Sequence, residues 1–87
     1  MNKCLRITIT VDDISFLHEV IKPQARKMDL EGVVQPVGQV KAVIIACGKK
    51  EKVDSFVEFL QKEVIKDLEI EPFIKDKDYR GVFRVIE

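Results

Sequence analysis

The 87 residues suffice for one domain, near the lower limit at which a chain buries an adequate core without staples. At 46% apolar and 34% charged residues the composition is that of an ordinary globular protein. Its 15 basic and 15 acidic side chains cancel, which removes the electrostatic case for a nucleic-acid or membrane-surface partner, and the longest apolar run, residues 42–47, is far short of a bilayer span.

Leu5, Ile7, Ile9 and Val11 alternate with Arg6, Thr8 and Thr10, a period of two that predicts a strand with one buried face. Over residues 14–28 the apolar set Leu17, Val20, Ile21, Ala25 and Met28 recurs at steps of three and four, one face of a helix with Ser15 as its expected N-cap. Pro23 falls inside that pattern, where it lacks a donor and clashes with the preceding turn, so a kink or a late helix start is expected. Gly32 follows, then Val33-Val34-Gln35 and residues 39–47 as two extended runs around Pro36-Val37-Gly38, a junction suited to a hairpin. In the second run Val40, Ala42, Ile44 and Ala46 face one way, Val43 and Ile45 the other. Apolar residues on both faces predict a central strand.

Gly48 is expected to open a second helix, with Val53, Phe56, Val57, Leu60 and Val64 forming an apolar stripe opposite Lys52, Glu58, Lys62 and Lys66. Leu68, Ile70 and Pro72 suggest a further strand, Pro72 being tolerable only on an edge or at its end. A charged turn, Lys75-Asp76-Lys77-Asp78, precedes the closing strand Val82-Phe83-Arg84-Val85-Ile86. The whole chain, residues 1–87, reads as a single domain. The order βαββαβ plus a short extra strand predicts an antiparallel sheet with two helices on one face, a ferredoxin-like α/β (α+β) sandwich.

Cys4 and Cys47 show no CxxC spacing and no apolar leader segment precedes them, so two buried free thiols and a reducing cytoplasm are expected. A disulfide or a reactive thiol is the alternative.

With the elements in order, the chain resembles acylphosphatases over nearly its whole length. Ala25-Arg26-Lys27-Met28-Asp29-Leu30-Glu31-Gly32-Val33-Val34 is similar to the family's A-x-x-L-G-L-x-G-W-V, with Met28 for leucine, Asp29 for glycine and Val33 for tryptophan. Gly48, Phe56 and Leu60 fall at the spacing of the family's second helix, and Tyr79 with Phe83-Arg84-Val85 is similar to its closing Y-x-x-F-x-I.

The resemblance implies a phosphate loop, G-R-V-Q-G-V-G-F-R, and a water-orienting asparagine on the second strand. Counting back from Ala25, the loop's final arginine falls on His18 and its glycines on Thr10, Ile14 and Phe16. The asparagine falls on Pro36, which has no amide; Gln35 would supply one, from the opposite face of the sheet. Branched Ile14 and bulky Phe16 reach the positive-φ conformations of a phosphate nest only with strain, and His18 lacks arginine's bidentate fork. Asp12 and Asp13 would repel a phosphate.

The loop equivalent is therefore Asp13, Ile14, Ser15, Phe16, Leu17 and His18, with no catalytic residue expected and with hydrolase activity lost. The rival reading is an active acylphosphatase that uses His18 and Gln35 on a small acyl phosphate. No cofactor and no metal are expected: Asp12, Asp13 and His18 make a weak metal set, and the carboxylates suit a helix N-terminus better. Lys49, Lys50 and Lys52, interrupted by Glu51 and Asp54, read as a solvated face. RNA binding lacks its aromatic signature on residues 41–47, and a metal chaperone lacks its CxxC. What remains is a protein-interaction or regulatory module, partner unknown, or self-association through an exposed sheet face or edge strand.

Overall fold

The computed structural model describes residues 2–63, 67–74 and 81–86. Period-two alternation produces β1 (Asn2–Thr10), with Ile7, Ile9 and the following Val11 buried and Arg6 turned away. The helical run that follows is not uniform. A π-helical turn (Leu17–Ile21), in which the Lys22 N–H donates to the Leu17 carbonyl five residues back, leads into α1 (Lys22–Lys27) with Pro23 in its first positions. The helical run already begins at Ser15, so the start is not late; the proline is met instead by the wider π turn before it, which makes room for its ring and does not need its N–H.

After α1 the chain forms β2 (Glu31–Val37), β3 (Lys41–Lys49), α2 (Lys50–Glu63), β4 (Leu68–Pro72) and β5 (Phe83–Val85). The sheet order is β4-β1-β3-β2-β5, so the doubly apolar strand is central, as expected, and Pro72 closes an edge strand. The sheet is mixed rather than purely antiparallel: β5 runs parallel to β2, from Gly32↔Phe83 to Val34↔Val85. Periodicity within a strand carries no information about its direction relative to a neighbour.

Three boundaries differ from the sequence expectation. Gly48 remains in β3, where it pairs with Lys3, and α2 begins at Lys50. Pro36 lies within β2, and the turn is Gly38-Gln39-Val40, with Gly38 at φ 71°. Gly32 and Val34 turn their main chains toward β5, where the Gly32 N–H donates to the Val82 carbonyl (2.9 Å) and Val34 accepts from the Ile86 N–H (2.8 Å). Pro36 has the same parity, so the ladder to β3 loses no donor at the proline. The closing strand is also shorter than expected. The predicted charged turn at residues 75–78, Tyr79, Val64 and Lys66 lie outside the described residues.

Both helices cover one face of the sheet. Leu17, Ile21 and Ala25 meet Val53, Phe56 and Leu60 over Ile7, Ile9, Val34 and Ile44, all fully buried, and Phe83 packs edge-on against Phe56 at 6.0 Å between ring centroids. The other face carries a smaller apolar cluster of Ile45 and Cys47 with Cys4, Val33, Val43 and Phe73.

The cysteines correct the sequence reading. Cys4 and Cys47 are joined in a disulfide, because the β1/β3 register sets them directly opposite each other on one face, with Cα atoms 4.1 Å apart. Forty-three residues separate them in the chain, and only the strand pairing brings them together.

Candidate functional site

The loop from β1 into the first helical turn is organised by its own oxygens and by one from the β2–β3 turn. Val11 N–H donates to the Val40 carbonyl (2.6 Å), Ser15 N–H to the Asp13 carboxylate (3.0 Å), Phe16 N–H to the Asp13 carbonyl (3.0 Å) and Leu17 N–H to the Ile14 carbonyl (3.0 Å). The cap is therefore Asp13 and not Ser15, since a carboxylate oxygen two residues upstream reaches the first orphan amide directly. Among the described residues, positive φ occurs at Asp29, Gly32, Gly38 and Gly81 and at none of residues 11–18. A nest of inward amides requires alternation with that left-handed region.

The sequence-derived residues then divide. Leu17 is fully buried in the core and Phe16 packs against it, so neither side chain faces a ligand. Ile14, Ser15 and His18 line an open cavity of about 520 Å³, together with Gln35, Pro36 and Ile86. His18 and Gln35, from elements that the sequence places well apart, thus share one cleft. Alternation along β2 puts Pro36 on the core-facing side with Val34 and Gln35 on the side of Val33, yet both border the cleft at the strand's end.

The cleft combines three aliphatic surfaces with one imidazole, one hydroxyl and one primary amide. Ile14 is 48% exposed and Ile86 39%, so its rim is apolar. Among the described residues neither an arginine nor a lysine lines it, and the exposed Asp12 and Asp13 immediately precede Ile14. It can hold a small, weakly polar group by contact and one or two hydrogen bonds. Among the described residues no three His, Cys, Asp or Glu side chains gather as a metal site.

Sequence reasoning missed Ile86, which enters the cleft only because β5 runs parallel beside β2. It also missed Arg26, whose Nε donates to the Phe83 carbonyl (2.9 Å), and Glu31, whose carboxylate accepts from the Gly81 N–H (2.8 Å). Both tie the last strand to the rest of the fold. Arg26 occupies an unspecified position of the family pattern, so no local signal marked it.

No family model matches the sequence, and no curated protein matches it. Solved structures do. An acylphosphatase from Coxiella burnetii superposes with a TM-score of 0.81 at 21% identity, covering 98% of this chain and 93% of that one. The acylphosphatase from Bacillus subtilis gives 0.80 at 18% identity, with both chains covered completely. Full-length HypF, in a phosphate- and nucleotide-bound form, gives 0.78 at 16% identity and covers all of this chain but 12% of that protein. No helix among the described residues is long and apolar enough to cross a membrane. With two helices on one face of a five-stranded mixed sheet, and with these superpositions, the chain has the acylphosphatase-like, ferredoxin-like α+β fold.

Proposed function

We propose that this domain has lost acylphosphatase hydrolysis and acts by binding, as a protein-interaction or regulatory module. The observation that carries the reading is the commitment of the Ser15, Phe16 and Leu17 amides to Asp13 and Ile14, where a phosphate cradle would need them turned to the ligand. Phosphoryl transfer depends on positive groups and oriented donors around the transferring oxygens, and the cleft offers a histidine and an amide in their place. The recurrence of this fold as a small part of HypF supports a module that works within or upon a larger protein. The reading carries a cytoplasmic location with it, against which the Cys4–Cys47 bond weighs, since disulfides are rare in that compartment.

One observation favours the rival reading of an active enzyme: His18 and Gln35 do border the same cleft. Benzoyl phosphate hydrolysis by the wild type and by His18→Ala separates the two. The expected result is release of phosphate at the spontaneous rate by both chains. Turnover by the wild type that His18→Ala abolishes overturns the proposal.

A further inference from the structure

We propose that Cys4 and Cys47 form a reversible thiol–disulfide pair, entered through the Cys4 sulfur, that responds to dithiol reductants while the domain stays folded. The pair lies on the sheet face that neither helix covers, within the cluster of Ile45, Val33, Val43 and Phe73. Its two cysteines are unequally buried. Cys47 is 2% exposed, whereas Cys4 is only partly buried, on the strand beside the edge and next to the point where Phe73 crosses. Phe73 is tied there by its N–H to the Cys4 carbonyl (3.2 Å), just past the last β1/β4 pair, Leu5↔Pro72. Phe73, just past the end of the edge strand, is the residue of that segment packed on this cluster, on the face away from the helix-side core.

The bond is not what holds the two strands in register. β1 and β3 pair continuously from Asn2↔Lys49 to Thr10↔Lys41, and the core residues Ile7, Ile9, Ala42, Ile44 and Ala46 pack on the opposite face. Reduction therefore leaves the strands paired and the two thiols facing each other, in a geometry that makes reclosure effectively intramolecular.

In the forward direction the thiolate of a dithiol reductant attacks Cys4 Sγ, and the Cys4–Cys47 bond breaks. Cys47 leaves as a thiolate and takes a proton. The reductant's second thiolate then attacks the mixed disulfide and releases Cys4, which also takes a proton. Two electrons and two protons pass to the chain, and the reductant ends as its own disulfide.

The test uses the full chain, titrated in dithiothreitol redox buffers, with thiols counted by alkylation and mass spectrometry while circular dichroism follows the fold. We expect no alkylation of the oxidised chain, complete two-thiol alkylation after reduction with the native spectrum retained, and a thermal midpoint lower by roughly 10 °C. In Cys47→Ser, Cys4 should be alkylated at least about tenfold faster than Cys47 is in Cys4→Ser, as exposure governs access. Two free thiols in the oxidised chain under native conditions overturn the proposal. So does reduction that proceeds only at the rate of global unfolding, or a Cys47 that reacts as fast as Cys4. The wild-type titration keeps the test decisive should a serine variant fail to fold.

Discussion

Gly32 adopts φ 144°, and a Cβ built on it would lie 1.8 Å from the Ile45 carbonyl oxygen of the neighbouring strand. The close approach of β2 and β3 at that point exists only because the residue has no side chain. Gly32→Ala should therefore cost roughly 3 kcal/mol, combining backbone strain with a forced shift of two strands, read as a lower urea midpoint with an unchanged m-value. On the helix side, the Asp54 carboxyl is held below its ordinary pKa by hydrogen bonds first from Lys3 and then from Lys50. A depressed folded-state value means that this contribution is present above the unfolded pKa and is lost as pH falls through the folded one. Lys3→Met should raise the Asp54 carboxyl pKa toward its ordinary value, followed by NMR titration of the side-chain carbon. An unmoved titration would show that Lys3 does not hold it. The Asp54 side chain is 41% exposed, so solvent screens the pair and the effect on stability is small.

Among the elements, the two helices differ in how far their sequences declared them. The stripe of Val53, Phe56 and Leu60 declares α2 and its buried face, all three side chains being fully buried, although not its start at Lys50. The first helical run was legible as a pattern but not as a geometry, because a π turn precedes Pro23 inside it and the Asp13 carboxylate, rather than Ser15, caps its first amides. At its far end Leu30 N–H donates to the Ala25 carbonyl and Asp29 N–H to the Arg26 carbonyl (3.0 Å each), with Asp29 itself at φ 59°. That is a Schellman cap with aspartate where the resembling family has glycine, a residue that reaches this conformation freely. Asp29→Gly should stabilise the domain by about 0.5–1 kcal/mol, seen as a higher denaturant midpoint. A loss of stability instead would show that the Asp29 side chain contributes more than its backbone conformation costs.

Across the whole molecule, the site is where the sequence was least complete. The loop at residues 11–18 could be placed by counting from Ala25, and its lack of glycine could be seen. That its amides are spent on Asp13 and Ile14 could not. Counting put the asparagine position on Pro36 with Gln35 on the opposite face, and the register Gln35↔Val43 and Pro36↔Ala42 fixes which face each takes. The 10 °C expected on reduction corresponds to roughly 2 kcal/mol for a domain of this size, toward the lower end of what a disulfide contributes. By itself the sequence determined the element order, the central strand, the buried faces of β1, β3 and α2, and the absence of a glycine loop, because these follow from local periodicity and residue type. Only the tertiary structure decided the direction of β5, the entry of Ile86 into the cleft, the placing of His18 and Gln35 on one cleft, and the bond between Cys4 and Cys47. Each depends on which strands pair and in what register, and pairing energy is shared between segments that local pattern cannot connect.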